Sequence, residues 1–381
     1  MSLAKSIVRQ SNAFFLLFVL IGIVGCQSST PSSSSSDALR ESRLNTELVL
    51  NNAVLEQSNK KDNTVWKIRA DRIDYSEDQQ IATLYRVVGN LFYNGTIILK
   101  ISAETGEVRD NGNIILLKDK IIAQDQRNGS IINSEAVEWR PQENLLLIDG
   151  KLNGSHPNLL VDAQSGKYFT DTERLELQGN VVATTQQPSL QLNSDRLNWN
   201  IPQSQIIIPD LVKIVRYNEE ETITDRLVSD RAEFNLAKNL AVLNNNIELI
   251  ALEPPLQVAT NALTWNYQNR IGTAEQPIKI LDRERKLSLT GNRGEINFPQ
   301  QWAKLENGAK GIKQESQSEL YAKQLFWKIG TEDVEATGNV VYEQVNPKAR
   351  LTGEKAIGTL GSNNIIVTSN GKKQVTSVID N

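Results

Sequence analysis

The chain has 381 residues, 39% hydrophobic and 23% charged, with 41 basic against 45 acidic side chains, a composition that supports a folded core and excludes a disordered chain. One His and one Cys leave almost nothing for imidazole catalysis, a His/Cys zinc cage, an iron–sulfur cluster or an intrachain disulfide. A net charge of -4 without any basic block sets nucleic acid aside as a partner.

Lys5 and Arg9 precede an apolar run from Ala13 to Gly25. The run has the length of an export-signal core and is too short for roughly 30 Å of hydrocarbon, which takes about 20 helical residues. It closes on Ile23-Val24-Gly25-Cys26, which resembles the lipobox of bacterial lipoproteins and implies that residues 1–25 are a signal peptide and that Cys26 carries the lipid; the alternative reading is an uncleaved apolar anchor helix that ends at Cys26. Two or three acyl chains hold a protein to a membrane stably, because each buried CH₂ contributes about 0.8 kcal/mol. Gln27 to Asp37 reads QSSTPSSSSSD, with no apolar residue, so residues 26–44 are expected to form a lipid-anchored tether without a core. A weak helical pattern from Asp37 to Leu50 is the one helix signal beyond the leader.

From Ala70 onward one hexad recurs: a small residue, polar residues, and usually an aromatic in sixth place. The copies begin at Ala70, Ala103, Ser134, Ala163, Ser194, Ser229, Thr260, Gly291, Ala322 and Gly353, at intervals of 29 to 35 residues and most often 31. A second mark follows in many units: Val88-Gly89-Asn90-Leu91, Asp149-Gly150-Lys151-Leu152, Gln178-Gly179-Asn180-Val181, Asn307-Gly308 and Thr337-Gly338-Asn339-Val340. Between marks lie short runs rich in Val, Ile, Leu and Thr with period two, such as Trp66, Ile68 and Ala70 against Lys67, Arg69 and Asp71, and these read as strands. Asn94-Gly95, Asn111-Gly112, Asn128-Gly129, Asn153-Gly154, Asn307-Gly308 and Asn370-Gly371 have the dipeptide that tight hairpins favour. Propeller blades usually need about 40 residues and a parallel coil has no use for Asn-Gly hairpins. The expected fold is all-β, a rolled antiparallel sheet of about ten repeats. It would form either two modules, 45–200 and 201–381, or one continued groove, with Glu219-Glu220-Glu221 as a surface loop at the boundary.

The stretch from Leu50 to Gln124 resembles the lipopolysaccharide-transport protein C family. The resemblance is carried by Leu50 and Leu55, Trp66-Lys67-Ile68-Arg69-Ala70 leading to Tyr75, Val88-Gly89-Asn90-Leu91-Phe92-Tyr93-Asn94-Gly95, and Leu99-Lys100-Ile101-Ser102-Ala103. It implies a folded-over β-jellyroll, like that of the family's soluble partner protein A. The implied protein sits on the periplasmic side of the inner membrane, takes lipopolysaccharide from an inner-membrane permease and ATPase, and passes it along an apolar groove to a soluble bridge of the same fold. This chain departs from the family in being roughly twice as long and in having a lipobox.

The groove lining is expected at Trp66, Ile68, Tyr75, Trp139, Tyr168, Trp199, Phe234, Trp265 and Trp327, where the sixth hexad residues would form a column that is also ordinary core. Partner-binding edges are expected at Val65 and Ile68, within Val65 to Ala70, and at Ile365, Ile366 and Val367. Asp71-Arg72, Asp195-Arg196 and Asp230-Arg231 read as solvated strand faces, and His156 as a turn residue. No catalytic residue, cofactor or metal is expected and the chain is read as a non-enzyme. The alternatives are a structural envelope lipoprotein and a carbohydrate-active β-repeat protein, whose paired carboxylates need neither His nor Cys. The lipobox generates a direct expectation: Cys26→Ala abolishes metabolic lipid labelling and leaves an unprocessed precursor on a gel, and unchanged processing of the variant contradicts it.

Overall fold

A computed structural model of the chain describes residues 48–59, 63–77, 80–345, 348–359, 364–369 and 376–379. Cys26, the leader, the Ser-rich tether and Asn370-Gly371 lie outside the described residues, all of which belong to one compact unit, Thr46–Asn381.

The unit is a single antiparallel sheet of 26 strands. In chain order they are β1 Val49–Asn59, β2 Thr64–Tyr75, β3 Ala82–Tyr93, β4 Thr96–Arg109, β5 Ile114–Asp125, β6 Ile131–Arg140, β7 Leu145–His156, β8 Leu159–Phe169 and β9 Arg174–Gln186. Then come β10 Ser189–Asn200, β11 Gln205–Ile208, β12 Val212–Tyr217, β13 Ile223–Ser229, β14 Arg231–Asn235, β15 Leu240–Leu252, β16 Pro255–Asn266, β17 Ile271–Ala274 and β18 Ile278–Asp282. The last are β19 Leu287–Gly291, β20 Arg293–Asn297, β21 Trp302–Lys313, β22 Ser318–Lys328, β23 Asp333–Gln344, β24 Ala349–Thr359, β25 Asn364–Thr368 and β26 Thr376–Ile379. The topology is a meander in which each pass bonds to the passes before and after it. The short strands act in pairs: β11 with β12, β13 with β14, β17 with β18, β19 with β20 and β25 with β26 each make one pass beside a long neighbour. No break falls at residues 200–201, because β10 bonds to β9 on one side and to β11 and β12 on the other.

Each pass bends at its middle. In β10, Leu190 and Leu192 point inward, Asp195 and Arg196 both face solvent, and inward burial resumes at Leu197 and Trp199. The extra residue of a β-bulge changes the parity while keeping both halves of the strand on one face, and the ladder to β9 shifts register between Ser194 and Arg196. The polar pair of the hexad is this bulge. Opposite it sits the second mark, at Gly150, Gly179 with Asn180, Asn307 with Gly308, and Gly338 with Asn339, all with positive φ, where glycine and asparagine meet the least strain. Strand β3 bends instead at Arg86, whose φ is 54°. Gly89 keeps an ordinary φ and serves packing, since a Cβ there would lie 2.9 Å from Ile101 and 3.0 Å from the Trp139 ring.

The row of bends folds the sheet along its midline. A strand of about twelve residues spans roughly 40 Å when extended, yet Tyr168 at the end of β8 bonds to Asp125 at the opposite margin of the sheet, 2.8 Å away. Trp66 of β2 likewise meets Trp139 of β6 with ring centroids 6.4 Å apart. The two halves therefore close on a shared interior, the rolled jellyroll expected from the sequence, and one apolar cluster runs through it from Trp66 to Ala356.

Several expectations are corrected. Asn153-Gly154 lies inside β7 and Gly154 has no positive φ, while Asn307-Gly308 makes a mid-strand bend in β21, because a bulge asks for the same positive φ as a hairpin. Asn94-Gly95 is the hairpin between β3 and β4. Of the stretch from Asp37 to Leu50 that reads as weakly helical, residues 37–47 lie outside the described residues, and Val49 and Leu50 belong to strand β1, whose bend at Asn51-Asn52 shifts inward residues from Leu50 to Ala53 and Leu55. Packing at Gly89 gives a test. Gly89→Val costs about 1–3 kcal/mol in urea unfolding through overpacking, and in combination with Trp139→Phe the loss is smaller than the sum by on the order of 1 kcal/mol; additive losses contradict the contact.

Candidate functional site

Because consecutive passes alternate direction, the hairpins fall on two margins. One lip holds the turns 93–96, 125–131, 156–159, 186–189, 217–223, 252–255, 282–287, 313–318 and 344–349, and the other holds 109–114, 140–145, 169–174, 200–205, 235–240, 266–271, 297–302 and 328–333. Folding brings the lips together along a seam opposite the bends.

The sixth hexad residues lie just inside that seam. Trp139, Trp199 and Trp327 each stand one place from the end of their strand, and with Tyr168, Phe234 and Trp265 they are buried, as are Trp66 and Ile68. They belong to one apolar cluster that is closed from solvent. Tyr75 stands apart: it is half-buried and lines a cavity of about 320 Å³ between the lips, with Leu55 and Gly112. Lys67 and Arg69 face outward.

Three polar clusters tie lip to lip, each built on a buried aspartate at a strand end: Asp125, Asp225 and Asp282. At the first, Asp125 accepts from the Tyr168 hydroxyl at 2.8 Å and from the Arg127 amide at 2.9 Å, and it pairs with the Arg127 guanidinium. Arg127 reaches across to donate to the Thr170 carbonyl at 2.6 Å, and Asn128 donates to Glu173 at 2.7 Å. Burial works against the Arg127 charge, but the bonds to Asp125 outweigh it and its pKa lies above the ordinary value. Burial and the Asp125 charge push the Tyr168 hydroxyl far up, so it remains a donor.

At the second, Arg270 grips Asp225 with two bonds of 2.9 and 2.7 Å and donates to the Glu253 carbonyl at 3.0 Å. Arg216 crosses the seam to the Tyr267 carbonyl at 3.0 Å and bonds Thr224 at 2.8 Å. Burial lowers the Arg216 pKa against the pull of Asp225, 4.0 Å away, and burial pushes the Tyr267 hydroxyl up to about 12. At the third, Arg285 bonds Asp282 at 2.9 Å on its own lip and Glu332 at 2.7 Å on the other. Buried pairs of this kind hold geometry more than they add stability.

Between the first two clusters the seam is lighter. His156, at the end of β7, sets its ring edge-on to Trp199 with centroids 4.9 Å apart, and burial lowers its pKa. Next to it a cavity of about 380 Å³ separates Asn158, Thr185 and Gln186 of one lip from Leu236, Ala237 and Tyr267 of the other. The Asp-Arg pairs lie at the bends and make ordinary ion pairs there, such as Arg196 with Asp210 at 2.6 Å. Glu219, Glu220 and Glu221 form an exposed loop between β12 and β13. Among the described residues no group of His, Cys, Asp or Glu is placed to hold a metal, and no helix is long and apolar enough to cross a membrane.

The sheet has two outer edges. Val65 and Ile68 do not form the first: β2 is bonded to β1 on one side and β3 on the other, so the edge lies one strand further out, at β1. At the other end β25 and β26 both bond to β24. There Ile365 and Val367 pack on the core and Ile366 is 69% exposed. The lip clusters were not read from the sequence: Asp125 and Asp282 each stand 22 residues after a hexad start, at Ala103 and Thr260, but Asp225 does not share that place.

A family described as lipopolysaccharide-assembly, LptC-related matches residues 14–147, a span that includes Leu50 to Gln124 and bears out the resemblance there. No curated protein matches the chain. Among solved structures, LptH of Pseudomonas aeruginosa, described as the LptA homologous periplasmic component of the conserved lipopolysaccharide transport device, is similar to 30% of this chain and 82% of its own, with 11% identity and a TM-score of 0.26.

The second cluster yields a prediction. Arg270→Met strands the Asp225 carboxylate and costs about 3–5 kcal/mol, read as faster amide exchange in the turns 217–223 and 266–271. Adding Asp225→Leu restores much of the protection, whereas a double variant worse than the single one contradicts a buried charge pair.

Proposed function

We propose that this chain carries lipopolysaccharide through the periplasm with the glycolipid's acyl chains held inside the folded sheet. The observation that carries the reading is the unbroken apolar interior from Trp66 to Ala356, closed along one seam by polar clusters and weakly packed stretches. An acyl chain of about 14 carbons costs roughly 10 kcal/mol to expose to water, so a carrier has to offer apolar cover along its whole route. An antiparallel sheet with one face turned inward provides it. The family match of residues 14–147 supports the reading. About twenty passes at about 4.8 Å each give a ladder on the order of 100 Å, and the ladder between β9 and β12 is continuous, so the two halves act as one conduit.

Loading proceeds by parting of the lips, since the bends at the midline are bonded on both sides and the seam is held by side chains. Lipid on Cys26 holds the chain at the periplasmic face of the inner membrane, where the permease and ATPase of the export machinery deliver lipopolysaccharide. Strand β1 is then the edge that meets the permease, and β25 the edge that a soluble bridge of the same fold extends by strand addition. The test is photo-crosslinking in energised cells. A crosslinking residue at Trp139, Trp199, Trp265 or Trp327 captures lipopolysaccharide, while one at the outward Lys67 or Arg69 does not; equal capture from both faces contradicts an interior route.

A further inference from the structure

Three indole N–H groups on the inner column have no acceptor. Nε1 of Trp139, Trp199 and Trp327 is buried and unpaired, and these side chains are 0%, 2% and 0% exposed. Elsewhere the fold supplies acceptors: Trp66 donates to Gln57 at 3.2 Å and Trp302 to Gln300 at 2.9 Å. A buried donor without an acceptor is unfavourable, and the fold does not need one at this place, since Phe234 fills the same hexad position with a ring that has no donor. The three indoles also share a setting. Each stands one residue inside the seam, on β6, β10 and β22. Four passes separate the first two and eight the last two, so they fall about 19 Å and about 38 Å apart along the ladder.

We propose that these indoles are stations for the carbonyl oxygens of ester- or amide-linked acyl chains. This inference rests on the carrier reading and adds to it the atom by which the ligand is held. A chain entering through the seam with its tail toward the bends leaves its carbonyl near the lips, where the N–H donors lie. Plain hydrocarbon gains apolar cover in the same place and leaves the donors unmet. The stations thus select acylated amphiphiles over alkylated ones of equal length, and they divide the conduit into repeated resting places rather than one uniform slide.

The experiment compares a short-chain diacyl phosphatidylglycerol with its dialkyl-ether counterpart, by competition against fluorescent lipopolysaccharide on the full-length protein. The native chain is expected to bind the ester about tenfold tighter than the ether, from hydrogen bonds of ordinary net strength. In the triple variant Trp139→Phe, Trp199→Phe, Trp327→Phe the preference falls to about one, because binding of the ester weakens more than binding of the ether. Trp302→Phe, whose indole is already paired, keeps the native preference. If the triple variant does not reach the native thermal midpoint, the three single variants are read instead, and each loses part of the preference. Lipopolysaccharide binding with no ester preference, or a preference that survives all Phe variants, overturns the stations alone. Failure of the native chain to bind lipopolysaccharide overturns the carrier reading and this inference with it.

Discussion

Everything in this molecule depends on the mid-strand bulge. A flat antiparallel sheet of this length would leave one whole apolar face in water, and no layer of helices is present among the described residues to cover it. The bulge adds one residue to a pass, turns the chain, and lets both halves of each strand keep their apolar side on one surface. Repeated pass after pass in register, it makes a fold line. The two halves then cover each other, and tryptophans from hexads four passes apart line a common interior.

The same constraint explains why polar chemistry collects at the lips. Strand ends carry turns, turns leave backbone carbonyls unpaired, and two rows of turns meet where the folded sheet closes. Arginines bridge that gap: Arg127 to Thr170, Arg216 to Tyr267, Arg270 to Glu253. Their counterions Asp125 and Asp225, like Asp282 beside Arg285, are buried at or near strand ends, so each cluster has a defined geometry. A seam fixed at three places and thinly packed between them, as at His156 and the cavity beside it, is a surface that parts locally while the ladders on the far side stay bonded. For a carrier of acyl chains that division of labour suits the task, since side chains open and backbone hydrogen bonds do not.

Much of this was legible in the sequence. The hexad period identified the passes, and the sixth position identified the column, because a buried residue next to a strand end repeats with the strand. Asp71-Arg72 and Asp195-Arg196 read as solvated, which they are, but their role as the bend was hidden, since a polar pair on a strand looks the same with or without a bulge. Asn307-Gly308 reads as a hairpin on a preference that bends and hairpins share. Strand β1 was obscured by its own bend at Asn51-Asn52, and that moved the sheet edge outward from Val65. The seam clusters were out of reach. Apart from Arg270 with Glu253, 17 positions apart, they join residues 43 to 51 positions apart, as Tyr168 with Asp125 and Arg216 with Tyr267, so the partners fall in different repeats.

The central claim is that the closed interior opens at the seam to admit acyl chains. Spin labels at Asn158→Cys and Ala237→Cys, in a chain with Cys26→Ser, sit on opposite lips beside the same cavity, and double electron–electron resonance reads the distance between them. On loading with lipopolysaccharide the account predicts a second, longer population separated from the first by several ångströms, about the width of one acyl chain within the roughly 10 Å spacing of packed sheets. A distance distribution that is the same in the empty and the loaded protein contradicts it.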